Sequence, residues 1–454
     1  MDKRTENALT IAAMLGLEPD EALVLLRKSI EVVNPKNSRS AGLPERTFAL
    51  LSRTFDDVRF VESPTGCADL VVCWGTSAGS ATALVVTSNG LELRIGPNLA
   101  GDFTASAFSV GQQTIGASFV AGAAIRKLLP DISDNLEWPM AVALGPFAMP
   151  PAEGANLIDI GHTYLIGAGA VGNGFVWSLE HDRLTGDLTI MDKDVVKEGN
   201  LQRNILNSEG DLNEFKVKPL ARYLQTSQPH LRVHPKPERT ETAFKASSNA
   251  LRIERLISAV DSPRARRALQ TWLPREIFDA STSGIQEVIF HHNAHPLDYA
   301  CLECVYPFSK DERAHERHVA EALGVPIEAL SEGIISDRRS ELIAGRYPDY
   351  PRDQIVGEAY DSLFKTLCGA GKLPVSEGQR VLAPLAFVSV LAGAVLAVQF
   401  QRRLSIDAAP NFNFWRLSPW WPPRVSLQRQ LPKNQACRFC SDPINANAMK
   451  EFWG

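Results

Sequence analysis

Positive charge is not in excess in this chain. Across 454 residues, 47 Lys and Arg face 52 Asp and Glu, for a formal charge of −5. That balance excludes a nucleic-acid-binding face that dominates the surface, so no nucleic acid is expected as a partner. The N-terminus is not expected to be a secretory signal. The N-terminus MDKRTENALTIAAMLGLEPDEA has neither a long apolar core nor a small-residue cleavage site, and the expected location is cytoplasmic. No GxxxxGK[ST] run occurs, which removes a P-loop as phosphate binder. No internal repeat of about 20 to 50 residues is visible. Cysteines number only seven, an odd count that points to metal binding or thiol chemistry rather than a disulfide framework. One uncharged run, Val381 to Phe400, has the length to cross a bilayer. Its Ala and Gly content, and Pro384 in its first turn, make a buried helix the expected reading and leave no membrane partner.

What is present is an ordinary globular composition, 44% apolar and 22% charged, about three times the length of a typical domain. Residues 1–35 carry helical periodicity and are expected to form an N-terminal helical leader. The Pro- and Ser-rich stretch Asn34 to Leu43 reads as a linker. Residues 44–150 alternate strand and helix patterns, with strands at Leu70 to Trp74 and Ala83 to Thr87 and a helix over Ile115 to Leu129. This segment is α/β in class but has no complete nucleotide fingerprint. Beyond a second linker, Pro146 to Asn156, residues 155–310 repeat the alternation. Strands end at Ile166, Met191, Val260 and Ala280, which predicts a mostly parallel, doubly wound sheet. Residues 311–380 read as a charged helical insertion, and 381–454 as a C-terminal helix and tail.

The run Gly167-Ala-Gly169-Ala-Val-Gly172 follows a strand and opens a helix, the pattern that brings backbone close to phosphates at a helix N-terminus. Asp192 lies at the end of the next strand, where a carboxylate takes ribose hydroxyls. NAD, FAD and ATP all satisfy these features. The following stretch, MDKDVVKEGNLQRN, adds Asp194, Asn200 and Arg203 directly beyond the strand end.

Here the chain resembles the adenylating ThiF/MoeB and ubiquitin-activating superfamily, with its GxGGxG turn and D-x-D-x-V-x-x-x-N-L-x-R-Q segment. Asn204 replaces the Gln of that pattern and Ala170 its third Gly. The resemblance implies a Rossmann-like adenylation domain in which Arg203 and Lys216 contact phosphates, with Lys218 as the alternative register. It also implies that Asp261, in Ile257-Ser-Ala-Val-Asp261-Ser, holds Mg2+ near the α-phosphate. Arg264, Arg266 and Arg267 begin the helix after it. The first α/β half then resembles a degenerate, nucleotide-free adenylation half, as in ubiquitin-activating enzymes and in bacterial ubiquitin-like conjugation operons of the Bil type. Arg46 and Arg53 are candidates for an arginine reaching across from that half.

Cys301-x-x-Cys304 and Cys437-x-x-Cys440 supply four thiolates, the ligand set of a closed tetrahedral zinc, with 132 residues between the pairs. The fold must bring the pairs together, so the metal is expected to staple the tail. With four sulfurs available, His291, His292 and His295 are expected at the surface or at strand ends. Cys67 and Cys73 are expected in or near the core. Cys368 lies in a Gly-flanked stretch expected to be a loop, and by the resemblance it accepts the activated acyl group as a thioester. The implied cofactors are ATP, Mg2+ and Zn2+. The implied partners are a ubiquitin-like or sulfur-carrier-like protein ending in glycine and a conjugating enzyme, with the two halves pairing in one chain or across a homodimer.

Overall fold

The computed structural model describes residues 2–34, 42–75, 82–104, 108–129, 137–149, 157–238, 252–283, 285–294, 298–308, 310–332, 335–358, 360–369, 382–405 and 411–453. The first half begins with helices α1 (Lys3–Leu15) and α2 (Pro19–Leu25). Asp2 starts α1 by accepting from the Thr5 N–H, and Gly16 ends it in the left-handed conformation. Ser29–Val33, which the sequence placed in the helical leader, is instead strand β1. Its run of β-branched residues decides for strand once both faces are buried. There follow α3 (Leu43–Leu51), β2 (Asp57–Val61), β3 (Leu70–Trp74), β4 (Ala83–Asn89), β5 (Glu92–Gly96), α4 (Val110–Leu128) and β6 (Met140–Ala143). The strands form one sheet in the order β2-β1-β3-β4-β5-β6, parallel from β2 to β4 and antiparallel beyond.

The second half contains β7 (Ile158–Ile166), α5 (Ala170–Trp177), β8 (Leu184–Met191), α6 (Val217–Ser227), β9 (Leu231–Lys236), β10 (Arg255–Ser258), β11 (Glu276–Ser283), β12 (Glu287–Asn293), β13 (Phe414–Leu417) and β14 (Gln428–Arg429). Its eight-stranded sheet runs β14-β13-β12-β11-β10-β7-β8-β9. The five strands from β11 to β9 are parallel. The order reverses between β7 and β10, and ligands of such sheets bind at that switch point, outside the carboxyl ends of the strands. The architecture is the expected α/β class, Rossmann-like, with a sheet in each half.

One continuous apolar core joins the halves. At its centre lies the helix Ala386–Ser405, buried throughout Ala386 to Gln401 and packed on α4, α5, β11 and β12. By length and composition this helix could cross a membrane, but it fills the protein's interior. Its small residues explain the close approach: a Cβ on Gly393 would stand 2.3 Å from the Phe175 backbone nitrogen, and one on Gly174 would stand 2.8 Å from the Cα of Val390.

The expected insertion holds helices Lys310–Leu323, Asp337–Arg346 and Tyr360–Gly369 around a small core of its own. Two cysteine and histidine expectations are corrected. Cys67 is exposed while Cys73 is buried in β3, because Cys67 precedes the strand. His291 and His292 do lie near the end of β12, as one of the two expected places, but they are buried rather than at the surface, His291 against the Ala300 carbonyl and His292 against Glu276. His295 lies outside the described residues.

Candidate functional site

The glycine turn after β7 is built for backbone proximity. Gly167 has φ +101°, and a Cβ there would stand 2.6 Å from the Ala259 carbonyl oxygen. A Cβ on Gly172 would stand 2.2 Å from the Gly167 oxygen, so only glycine lets α5 start this close to the turn. Gly169 differs. It is the N-cap of α5 with no side-chain cap, and nothing lies within 4 Å of where its Cβ would be. The N-cap of α5 is thus left uncapped beside open space at Gly169, and uncapped helix N-termini are the places that receive anions.

Asn173 clips this turn to the segment after β8. Its Nδ2 donates to the carbonyls of Ala168 and Gly169, each at 3.0 Å, and its Oδ1 accepts from the Leu206 N–H at 3.0 Å. The sequence reading missed Asn173. The available signal was an amide residue immediately after the last glycine, in the first turn of a helix, where such side chains bond locally.

Asp192 stands just past β8, beside the turn. One of its oxygens accepts from the Ala168 N–H at 2.8 Å and the other from the Asp194 N–H at 2.9 Å. Each carboxylate oxygen keeps a further lone pair for a ribose hydroxyl. Lys216, at the start of α6, donates its backbone N–H to the Asp194 carbonyl and its ammonium to the Asp194 carboxylate, both at 2.8 Å. Burial raises the pKa of Asp192, while Lys216 opposes that rise. Burial pushes Lys216 downward, but the charges of Asp192 and Asp194 overcome it and raise its pKa. The structure thus brings together Asp192, Asp194 and Lys216, and the alternative, Lys218, is exposed two positions further on.

Arg203 donates to the Gly199 carbonyl at 3.2 Å; burial lowers its pKa against the charges of Glu6 and Asp261. Asn200 accepts from the Lys197 N–H at 3.1 Å, which shapes the turn leading to Arg203. Asp261 is exposed, just past β10, on the opposite side of the switch point from Asp192. The cap of the helix Pro263–Gln270 is Ser262, so Asp261 is spared that structural duty.

The arginines expected to reach across from the first half do not point into this site. Arg46 is buried, donates to Thr114 and to the Trp177 carbonyl, and lies over the Trp177 ring at 4.4 Å. Arg53 donates to the carbonyls of Leu201, Ile205 and Asn207. Both are committed because a buried guanidinium must fill its donors. Arg264 pairs with Glu316 of the insertion at 2.6 Å, and Arg266 with buried Asp279. Arg267 donates to the Tyr306 carbonyl at 2.8 Å. Cys368, expected in a loop, belongs to the last turn of the helix Tyr360–Gly369. Its neighbours Ala370 and Gly371 lie outside the described residues.

The two cysteine pairs meet. The Sγ atoms of Cys301, Cys304, Cys437 and Cys440 all lie within 4.8 Å of one another. The separations are 3.8 Å for Cys301 to Cys304 and 3.5 Å for both Cys301 to Cys437 and Cys304 to Cys440. A tetrahedron with Zn–S near 2.3 Å has S to S edges of about 3.8 Å, so the four thiols fit zinc, while a disulfide needs about 2.05 Å. The Asn434 N–H donates to the Cys304 sulfur at 3.4 Å, the outer contact expected of a metal thiolate.

Comparison with known proteins gives a match of the ThiF family profile to residues 148–437. The chain is 29% identical over 322 residues to the uncharacterized protein y4jF of Sinorhizobium fredii, a stretch covering 65% of this chain and 59% of that protein. It therefore spans about three fifths of that relative's length. Among solved structures, E. coli MccB with ATP is 13% identical, covering 79% of this chain and 97% of its own, with a TM-score of 0.37. E. coli MccB with AMPCPP and MccA is 12% identical over the same shares, with a TM-score of 0.38.

Proposed function

We propose, on the premise that this chain belongs to the ThiF family, that it is an ATP-dependent adenylyltransferase acting on the terminal carboxylate of a peptide or carrier protein. The observation that carries this reading is the pairing of an open, uncapped glycine turn with the Asp192, Asp194 and Lys216 cluster at the sheet's switch point. The reaction makes one bond and breaks one. A carboxylate oxygen of the partner attacks the α-phosphorus, and the bond to the β-phosphate's bridging oxygen breaks, releasing pyrophosphate. Charge builds on the phosphoryl oxygens during this step, so fixed cations contribute more than proton transfer does. Lys216 and Arg203 are those cations, and Asp192 orients the ribose. Mg2+ held at Asp261 would neutralise charge on the departing phosphates, and Asp194 and Asn200 are the further proposed nucleotide contacts.

The finer assignment is that the partner is a ubiquitin-like or sulfur-carrier-like protein ending in glycine, as in the Bil-type systems. Cys368 would then take the acyl group and pass it to a conjugating enzyme. The proposed division of labour gives residues 44–150 to a nucleotide-free half, 155–310 to the adenylating half, 311–380 to the insertion with Cys368, and 381–454 to the helix and zinc-closing tail. Strand β1 and its leader join the first half. That the sequence from Asn34 to Gly42, after β1, contains no GxGxxG supports a half without nucleotide. A second reading, in which the adenylate passes directly to another acceptor, is favoured by the place of Cys368 inside a helix.

The test is ATP to pyrophosphate exchange with small proteins ending in glycine. Lys216→Met should lower exchange by about 10² to 10³-fold. Cys368→Ala should leave exchange intact and abolish a thiol-reducible adduct. Exchange at the wild-type rate in Lys216→Met would overturn the site, and an adduct that survives Cys368→Ala would overturn the thioester alone.

A further inference from the structure

Between the cysteine cluster and the turn that carries Asp261 runs a chain of buried polar contacts that the adenylation chemistry leaves unused. Tyr306 lies two residues beyond Cys304. Its hydroxyl donates to Asp279 Oδ2 at 2.7 Å and sits 2.9 Å from the Ser281 hydroxyl. The other oxygen of Asp279 pairs with Arg266, whose second amino group donates to the Val260 carbonyl, the residue before Asp261. Arg266 also holds the Ala280 carbonyl at 3.0 Å. The helix after Asp261 is gripped from the same side: Arg267 donates to the Tyr306 carbonyl, and the Leu302 N–H donates to the Gln270 side chain at 2.8 Å.

Asp279 is 0% exposed and Arg266 3%. Neither can turn to water, so each partner fixes the orientation of the next. A guanidinium is a planar fork: once Asp279 sets the plane of Arg266, the direction in which it holds Val260 is set as well. With one oxygen of Asp279 held by Arg266, the Tyr306 hydroxyl stops the carboxylate from rotating. The hydroxyl is anchored in turn by the knuckle whose Cys301 and Cys304 face Cys437 and Cys440.

We infer that Tyr306 is a positioning residue for Asp261, transmitting the geometry of the four-cysteine cluster through Asp279 and Arg266 to the turn that would bind Mg2+. The inference rests on the reading of Asp261 as the Mg2+ site, and the experiment separates the two. Tyr306→Phe keeps the ring and removes the hydroxyl. ATP binding is titrated by calorimetry with and without Mg2+ in the full-length wild type, Tyr306→Phe, Asp261→Asn and the double variant, with zinc content measured in each. Tyr306→Phe should retain one zinc per chain and bind ATP normally without Mg2+. With Mg2+ its affinity should fall about tenfold. In the Asp261→Asn background the same change should have no further effect, because its target is gone. Normal Mg2+-ATP affinity in Tyr306→Phe, with Asp261→Asn impaired, overturns the inference and leaves the Asp261 reading intact. Effects that add in the double variant, or loss of zinc in Tyr306→Phe, also overturn it. Normal Mg2+-ATP affinity in Asp261→Asn overturns both.

Discussion

Replacing Gly393 by Ala sets two effects of opposite sign against each other, and the structure decides between them. In an isolated helix, Ala is favoured over Gly by about 1 kcal/mol. Here the new Cβ would stand 2.3 Å from the Phe175 nitrogen, 2.4 Å from the Val171 oxygen and 2.5 Å from the Gly174 carbonyl carbon. All three are backbone atoms of α5, so no side-chain rotation relieves the clash. Restoring contacts of about 3.5 Å requires the two helices to part by roughly 1 Å, which forfeits a quarter to a half of the attraction for atom pairs along the interface. Overpacking costs about 1 to 3 kcal/mol where some relaxation is possible. A rigid backbone contact belongs at or above the top of that range, so a net loss of about 2 kcal/mol or more is expected after the gain in propensity. The damage also reaches the site, because the N-terminus of α5 is the glycine turn, and a misplacement near 1 Å can cost about 10²-fold in rate. Urea unfolding followed by tryptophan fluorescence, together with nucleotide binding, measures both consequences. Gly345→Ala is the control: that glycine lies in the exposed part of a helix with nothing within 4 Å, and the change should stabilise. A Gly393→Ala midpoint equal to or above that of the wild type, with unaltered nucleotide affinity, would refute the reasoning.

Two further outcomes follow from buried chemistry. Purified protein should carry one zinc per chain, and stripping it with a chelator should expose residues 411–453 to protease, since binding at such sites amounts to about 10 to 16 kcal/mol in peptides. Metal-free protein with an unchanged digestion pattern would count against the staple. Glu276 is buried, which pushes its pKa up, but hydrogen bonding to His292 and the charges of His292, Arg403 and Arg255 outweigh burial and hold it below the ordinary carboxylate value of 4.5. A carboxyl with a depressed folded pKa stabilises the protein above its unfolded value and loses that contribution as pH falls through the folded one. Glu276→Gln should therefore lower the urea midpoint at pH 7, and the gap from the wild type should narrow below about pH 4.5. A gap that stays constant across this range would show that the charge of Glu276 plays no part.

What could be read from the sequence was what is local. The spacing of Gly167, Gly169 and Gly172, the strand ends at Ile166 and Met191, and the two cysteine pairs each depend on a few consecutive residues, and the structure has them where periodicity and spacing put them. What escaped was decided at long range. Ser29–Val33 is too short to show a period, and becomes a strand because β2 and β3 flank it. His291 and His292 were expected at the surface or at strand ends, and their burial depends on partners distant in sequence, since the helix Ala386–Ser405 packs on β12. The run Val381 to Phe400 did not escape: its Ala and Gly content and Pro384 pointed to a buried helix, and the structure has one over Ala386–Ser405, apolar all round because protein surrounds it.

The arginines show what a half without a complete nucleotide fingerprint contributes to the fold. A side chain reaching into the second half can act on the nucleotide or on the scaffold that surrounds it, and hydrogen-bond geometry separates the two roles. Arg53 spends its donors on the carbonyls of Leu201, Ile205 and Asn207, which flank Arg203 on both sides. Arg46 holds the end of α5 at the Trp177 carbonyl, and Thr10 of the leader donates to the carbonyl of Ala383, just ahead of the central helix. Three contacts from the first half therefore fix the Arg203 segment, the helix behind the glycine turn and the helix behind that one. Free carbonyls in a buried loop would otherwise have to find water, and the segment would sample several arrangements. On this geometry the first half works as a brace that presents Arg203 and the α5 N-terminus in one arrangement, and both cations of the proposed function, Lys216 and Arg203, belong to the second half.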